Sequence, residues 1–546
     1  MVELGDVIER NYLEYGDFMS SLKHPVKHCA DFLSRCYSEE HSLNNISHMA
    51  DADGLASLLI NDIGFKIMKD YMGLNESPRI NSLRIMGFSE NEKSQDHPAN
   101  IASKMGEGLY LISDIGTFGD SCVEFFHNVI NIDHHISTSN ISTPLNINPH
   151  DYGIDGGLEI SGSVASFLFL NRLFDELKDS EGCIDTRIAS NNKKKQNLID
   201  FLGIVALSGA DADMQGPCGL NKSIYDYLEK RNIIQHVDSP FYGYSTKPLY
   251  KVVSESSIPF NLKYGIKGTV PDDFCFTDDV KGSQRDGLAK QFLFNSGFKD
   301  VSLPLMYHSK EMQQRLRHLF SENISKYCDE NIREVSLAQL KQGQHIVSTD
   351  KYLFGGLSIS EVGNMLTALS KLDFSEEIHA AIETYFFSQD RNRDTILESC
   401  KNKINQIHKE YKSVVSEGMN VCEGLMSNGL RNICDDVFYL NLNNLNGITS
   451  DVRLRKLTGV FGGIITKNRM LPGDYGVLFT SYGNGDYVKI SARVSEHNKY
   501  GDLDLGKFMN HFGGGGHKMA ASCYILKSNL VSFFEKAENY LGDLNG

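Results

Sequence analysis

Four short clusters of Asp and His carry the residue types that hold divalent cations. Asn131-Ile132-Asp133-His134-His135 follows the apolar pair Val129-Ile130, which places the Asp-His-His triplet at the carboxyl end of a buried strand. Ser47-His48-Met49-Ala50-Asp51-Ala52-Asp53-Gly54 and Ser113-Asp114-Ile115-Gly116 read as similar strand ends, and Ser208-Gly209-Ala210-Asp211-Ala212-Asp213 offers a fourth carboxylate. Taken alone, an Asp before Gly is a turn or a helix cap, and a lone buried His is a satisfied core residue. Together the clusters say more, because ligands of open α/β sheets bind at the carboxyl edge of the strands. Acidic clusters separated by helix-length segments therefore converge on one metal site, with carboxylate and imidazole donors suited to manganese or a similar ion.

A second feature lies hundreds of residues away. Gly513-Gly514-Gly515-Gly516-His517-Lys518-Met519-Ala520-Ala521 would let backbone N–H groups approach an anion closely, since glycine presents no Cβ. Lys489-Ile490-Ser491-Ala492-Arg493 occupies the strand before it, where Arg493 could bind a phosphate through two hydrogen bonds.

These motifs, in this order, resemble the DHH phosphoesterase superfamily, named for the triplet seen here as Asp133-His134-His135, and the glycine tract resembles its associated DHHA1 domain. The span Asn146-Ile147-Asn148-Pro149-His150 through Gly153-Ile154-Asp155-Gly156, then Glu159-Ile160-Ser161-Gly162, is similar to archaeal RecJ-like members. The resemblance covers most of the chain and is faint between about 250 and 345. It implies phosphodiester hydrolysis with two Mn2+ or Mg2+ ions about 4 Å apart. By that resemblance Asp114 is the bridging carboxylate, His48 and Asp51 complete one metal site, and Asp53, His134 and Asp213 the other. His135 would face the substrate phosphate, while Asp133 would hold His134 in its tautomer. Asp114, His135 and Asp133 are thus the catalytic candidates; Arg493, Ser491, Gly513, Gly514, Gly515, Gly516 and His517 are the candidates for gripping substrate. One spacing departs from the family: the first motif is H-x-x-D-x-D, where several members have a third residue between the His and the first Asp, and this bears on His48. Asp211 is an alternative to Asp213, although the Gly209-Ala210 register matches Asp213 to the family pattern.

Composition bounds the rest. The chain has 546 residues, 41% of them hydrophobic, enough for more than one domain with real cores. With 54 basic against 70 acidic residues the net charge is −16, which argues against an extended nucleic-acid-binding surface but leaves room for a local basic groove. The 11 cysteines are scattered and include no C-x-x-C pair, so neither a disulfide framework nor a zinc ribbon is expected. Met1 to Arg10 lacks an apolar core and no apolar run approaches membrane-span length, so a cytoplasmic location is expected.

Along the chain, helical spacing covers residues 7 to 38, broken at Pro25. His24, His28, Cys29 and Cys36 in that stretch fit no zinc spacing. A crossover helix should run from Gly54 to Tyr71, with strands near 82 to 88 and 109 to 113, a polar loop at 89 to 100 and a helix over Val123 to Asn128. Ser161 to Leu177 reads as a helix and Asp179 to Gln196 as a polar loop; Leu198 to Leu207 leads into Asp213, and Tyr225 to Ile234 and Gly287 to Phe298 are helical. Farther on, Ser358 to Leu372 and 376 to 426 are helical, followed by strands at Val437 to Leu442, Val460 to Thr466, Tyr475 to Thr480 and Tyr487 to Val494, divided by glycine turns. Such alternation predicts an α/β protein with a mostly parallel sheet flanked by helices. The expected division is a DHH domain over 1–239, a connecting or inserted region over 240–345, and a smaller α/β DHHA1 domain with a helical linker over 346–546, with the active site in the cleft between the first and last.

The function this implies is that of a RecJ-like exonuclease acting on single-stranded DNA or RNA in replication or repair. Two alternatives stand beside it: a short-oligonucleotide or cyclic-dinucleotide phosphodiesterase, and a replicative-helicase scaffold with reduced or no catalysis. Archaeal relatives associate with the GINS replication complex, which makes 240–345 a partner surface by resemblance.

Overall fold

The computed structural model describes residues 12–543 apart from 36–41, 73–78, 89–93, 137–144, 180–191, 256–282, 328–332, 375–378, 383–392, 496–502 and scattered shorter stretches. Cys36, residues 89–93 of the loop expected at 89–100, most of that at 179–196, and much of 240–275 and 376–392 lie outside the described residues. By contacts the chain forms two compact units, one made of Met1–Lys230 with Gly363–Gly546 and the other of Arg231–Val362.

In the first unit α1 (Lys23–Arg35) precedes β1 (Ser42–His48), α2 (Ala52–Met72), β2 (Arg79–Ile85), α3 (Pro98–Met105), β3 (Gly108–Ser113), β4 (Val129–Ile132) and β5 (Asn146–Ile147). Three helices follow: α4 (Gly162–Asp179), α5 (Asn192–Ala212) and α6 (Gly219–Lys230). The five strands form one parallel sheet in the order β2-β1-β3-β4-β5. From β1 the chain crosses outward to β2 and then returns to the other side of β1, so the strand order reverses between β1 and β3. That reversal opens a crevice at their carboxyl ends. One face of the sheet packs Ile46, Ile85, Tyr110 and Ile112 against Ile101 and Met105 of α3 and against Phe126. On the other face the buried Asn45 amide donates to Leu58 O at 3.2 Å and Asp62 Oδ1 at 2.6 Å of α2.

The remainder of this unit holds α7 (Ile359–Lys371), which begins in the second unit, then α8 (Arg393–Gly429), β6 (Arg431–Cys434), β7 (Val437–Asn441), α9 (Asp451–Lys467), β8 (Val477–Tyr482), β9 (Tyr487–Val494), α10 (Leu505–Asn510), β10 (Gly515–His517), β11 (Ala520–Leu526) and α11 (Leu530–Asp543). Six strands form a sheet in the order β10-β11-β9-β8-β7-β6, antiparallel except for the parallel pair β7 and β8. Its core centres on Phe479, Phe508 and Phe533.

The second unit carries a two-stranded antiparallel sheet of Ile234–Val237 with Gln344–Val347. Its helices Leu249–Ser254, Ser283–Asn295 and Lys310–Tyr327 bury Phe241, Leu293, Leu316 and Phe320.

Several local expectations are corrected. Val460–Thr466 is not a strand but lies within α9, although its Val and Ile favour strands. Small residues explain why a helix wins there: a Cβ on Gly459 would collide with the Arg493 guanidinium, so the glycines let α9 lie close on β9. Pro25 sits inside the first turn of α1, where its missing N–H is not needed, and the break falls near Leu22 instead. The helix expected over Val123 to Asn128 is the short turn Asp120–Val123. The lysine run begins α5 at Asn192 rather than ending a loop, and α6 stops at Lys230, leaving Ile234 to begin a strand.

Candidate metal centre

Strand register builds the site. Ser47 pairs with Ser113 and Ser113 with Ile132, so the next residue of each strand, His48, Asp114 and Asp133, emerges level with its neighbours at the carboxyl edge. Asp114 is in the left-handed region with φ 56°, its N–H donated to Ile132 O at 2.9 Å, which turns its carboxylate back into the crevice. Asp53 comes from the first turn of α2 and Asp213 from the turn after α5.

The side chains converge as two adjoining sets. Donor atoms of His48, Asp51 and Asp114 lie within 4.8 Å of one another, and so do those of Asp53, His134 and Asp213. The sets meet where His134 Nε2 lies 3.0 Å from Asp114 Oδ1 and 3.6 Å from Asp53 Oδ2. His48 Nδ1 contacts Asp51 Oδ2, so His48 is in the cluster despite the shortened spacing of its motif. Asp211 does not join either set; its charge is felt by Tyr225, whereas Asp213 reaches the centre.

Burial and crowding set the charges. Burial, then the negative charge of Asp213 and Asp51, raises Asp53 to about 6 even though His134 and the Ser163 hydroxyl pull the other way. Asp114 is raised well above the ordinary carboxylate range by burial and by the charges of Asp53 and Asp51. For Asp51 and Asp213 burial is outweighed, by His48 in one case and His517 in the other, and both are held low. His134 is raised because Asp114, Asp53 and Asp213 overcome its burial. The donors are carboxylate oxygens and imidazole nitrogens with an excess of negative charge, the chemistry that suits Mn2+ or Mg2+.

Asp133 does something other than expected. Its Oδ1 accepts the His134 N–H at 2.8 Å and lies 2.8 Å from His135 Nδ1, while its Oδ2 accepts the Gly116 N–H at 2.8 Å. It orients His135, not His134. The His134 ring instead places Nδ1 at 2.6 Å from Gly156 O, which fixes Nδ1 as the donor and leaves Nε2 facing the carboxylates.

Ser163, Gln215 and Asn221 support the site without a sequence signal of their own, whereas His150, Gly156 and Gly162 fall in the spans quoted for their resemblance. Asp53 accepts from Gly162 N at 2.7 Å, Ser163 N at 3.1 Å and the Ser163 hydroxyl. A Cβ on Gly162 would stand 2.8 Å from Asp114 Oδ1, so the residue must be glycine for α4 to start here. Gln215 is buried and donates to Gly156 O at 3.0 Å and Asp213 Oδ2 at 3.1 Å, and it accepts from Asn221 at 2.9 Å. His150 Nε2 lies 3.1 Å from His134 O.

From the C-terminal part, His517 reaches this centre. Its ring stacks on His135, and its Nε2 is 3.3 Å from Asp213 Oδ2. The glycines are more structural than expected. Gly513 and Gly514 donate their N–H groups to Asn510 O at 3.1 Å and Met509 O at 3.0 Å, closing α10 rather than cradling an anion. Gly515 and Gly516 lie in β10, paired with Ser522 and Ala521. Ser491 is buried with its hydroxyl 2.9 Å from that of Thr458.

Beside the metal set lies a group of cations from separate elements. Lys489 is pushed down to about 7 by burial and by the charges of Lys371 and Arg493, Lys371 to about 8 chiefly by burial, and Arg493 and Arg84 to about 10 by burial. Asp51 offsets the first two. Arg84 donates to Met49 O and, at 2.7 Å, to Ser370 Oγ, fastening the His48 loop to α7.

Among the described residues no helix is long and apolar enough to cross a membrane. The DHHA1 domain family matches residues 460–543. No curated protein matches the chain. Among solved structures, an exonuclease RecJ bound to manganese aligns over 95% of this chain and 94% of its own at 12% identity and a TM-score of 0.46. A RecJ from Thermus thermophilus in complex with Mn2+ aligns over 96% of this chain, which spans only 55% of that protein, at 12% identity and 0.48. CDC45 from Entamoeba histolytica aligns over 95% of this chain and 98% of its own at 9% identity and 0.50, a likeness of fold. Residues 460–543 thus match the DHHA1 domain family, and Asp133-His134-His135 stands at the carboxyl edge of the parallel sheet in a chain whose fold is like that of CDC45.

Proposed function

We propose that this protein is a metal-dependent phosphodiesterase that hydrolyses single-stranded nucleic acid from an end. The observation that carries the reading is the pair of adjoining three-residue sets, His48/Asp51/Asp114 and Asp53/His134/Asp213, joined through the 3.0 Å approach of Asp114 to His134. Two Mn2+ or Mg2+ ions held there would neutralise phosphoryl charge and make a bound water acidic enough to attack near neutral pH. In this reading Asp114 is shared by the two sets. Asp133 keeps the Nδ1–H of His135 engaged, so that His135 presents Nε2 to the substrate phosphate. His517 and Arg493, with the β10 edge at Gly515 and Gly516, hold the strand in the cleft between the part that cuts, 1–239, and the part that grips, 346–546, with Ser491 buried behind them, while 240–345 is inserted between them in sequence. The gathering of Arg84, Lys371, Lys456, Lys489 and Arg493 in a chain of net charge −16 supports a polyanionic substrate.

The test is hydrolysis of end-labelled single strands of DNA and RNA, alongside a cyclic dinucleotide, with and without Mn2+. A ladder shortening from one end supports the proposal; cleavage of the cyclic dinucleotide alone favours the short-substrate alternative, and no cleavage of any substrate sinks the enzymatic reading in favour of a scaffold. A GINS-like replication factor is the proposed partner, supported by Leu303, Met306 and Tyr307, which are solvent-exposed in the inserted unit. Co-purification that survives Tyr307→Ala unchanged would count against this surface.

A further inference from the structure

Met214 stands between Asp213 and Gln215 just past the end of α5. Its N–H donates to Asp211 O at 3.0 Å and the Gln215 N–H to Ala210 O at 2.9 Å, the paired bonds that close a helix around one left-handed residue. Met214 is that residue, with φ 64°. Glycine is the usual occupant, with Asn next. The other non-glycine residues described with positive φ are Asp114, Asn232 and Asp373, all of the two types that tolerate it. Packing does not explain the methionine, because it is 77% exposed. A side chain unsuited to its backbone and unused by the core is an outlier of the kind that gathers at functional sites. Its position agrees: Asp213 belongs to a metal set and lies 3.3 Å from His517 Nε2. Leu158 is 59% exposed and follows Gly157, where a Cβ would lie 3.7 Å from His517 Nδ1.

We infer that Met214, together with Leu158, supplies an apolar contact for the base of the nucleotide next to the scissile phosphate, and so makes the site selective for base-bearing phosphodiesters. This rests on the proposed function and names its specificity. A thioether packs well on an aromatic ring, and every base has such a face, so the contact is sequence-tolerant. A bare phosphate chain has nothing to place there.

The experiment compares Met214→Gly and Met214→Leu with the wild type on a normal single strand and on one whose terminal two nucleotides are abasic, measuring KM, kcat, metal-free binding by fluorescence anisotropy, and Tm. The wild type should favour the base-bearing strand by about tenfold in KM and in binding. Met214→Gly should bring that ratio near one while its Tm is unchanged or raised, since glycine suits the left-handed position, and Met214→Leu should keep the ratio. A glycine variant that retains the wild-type ratio overturns the inference, whether its overall rate holds or falls. If the wild type cleaves the normal strand but does not distinguish it from the abasic one, the inference alone is overturned. If it cleaves neither strand, the proposed function and this inference fall together.

Discussion

The ring of His517 stacks on that of His135 with centroids 4.9 Å apart and planes inclined by 13°, joining residues 382 positions apart in sequence at one candidate metal-ligand cluster. His517 also faces Asp213. His517→Ala is therefore expected to raise KM for single strands several-fold and to weaken binding at low salt more than at high salt, where counterion release contributes less. Unchanged KM and unchanged salt dependence would show that the stack is only structural.

Asp114 belongs to one candidate metal set and touches the other through His134. Asp114→Asn should lower kcat by well over tenfold, that is by more than about 1.4 kcal/mol of barrier. Mn2+ should raise the wild-type Tm, by about 2.7 kcal/mol of stability at a hundred times Kd, and should do so much less in the variant. Calorimetry with and without Mn2+ checks this independently of turnover.

Asp133 separates orientation from ligation. Asp133→Asn disturbs the grip on His135 Nδ1 while leaving His134 on Gly156 O. Turnover should fall by about tenfold to a hundredfold, the usual scale for such supporting partners, with Mn2+ affinity little altered. Loss of metal binding equal to that of Asp114→Asn would contradict the assignment.

Gln215 is buried, and its amide links Gly156 O to Asp213 Oδ2. Gln215→Leu takes one donor from each of these acceptors, which keep His134 and His517, and removes the acceptor of the Asn221 amide, at an expected loss of roughly 1 to 3 kcal/mol in stability. Urea unfolding of the metal-free protein measures it. Wild-type stability in the variant would mean that water replaces the amide without loss.

Lys489 fixes a pH dependence. Burial, Lys371 and Arg493 lower it to about 7, against about 10.4 in the unfolded chain. Between those values the unfolded state holds a proton that the folded state has released, so stability rises with pH across this window. Lys489→Met should be more stable than the wild type at pH 7, and its advantage should shrink by up to about 1.4 kcal/mol per pH unit as pH rises. A constant difference between the two proteins from pH 7 to 9 would show that Lys489 does not titrate there.

Which Asp and His side chains crowd the carboxyl edge of the sheet was legible because it depends on short-range order. The strands ending at Ser113 and Ile132 carry brief apolar runs and the motif residues come directly after them, whereas Ser42–His48 has only Leu43 and Ile46 as apolar residues and ends on the motif histidine itself. The strand at Tyr487–Val494 is likewise where alternation places it. What the tertiary structure decided is whatever depends on a neighbour far away in the chain. Val460–Thr466 has strand-forming residues, yet close packing of its glycines on Arg493 selects a helix. The tautomer of His134 is set by a backbone carbonyl, Gly156 O, and any residue type supplies a carbonyl. Gln215, Asn221 and Ser163 lie in no metal-binding pattern, and only the return of α4, α5 and α6 to the sheet edge gives them acceptors to bond. Residue types and local spacing thus determined which side chains can ligate, while strand register and long-range packing determined how each is aimed, because periodicity is a property of neighbours in sequence and orientation is a property of neighbours in space.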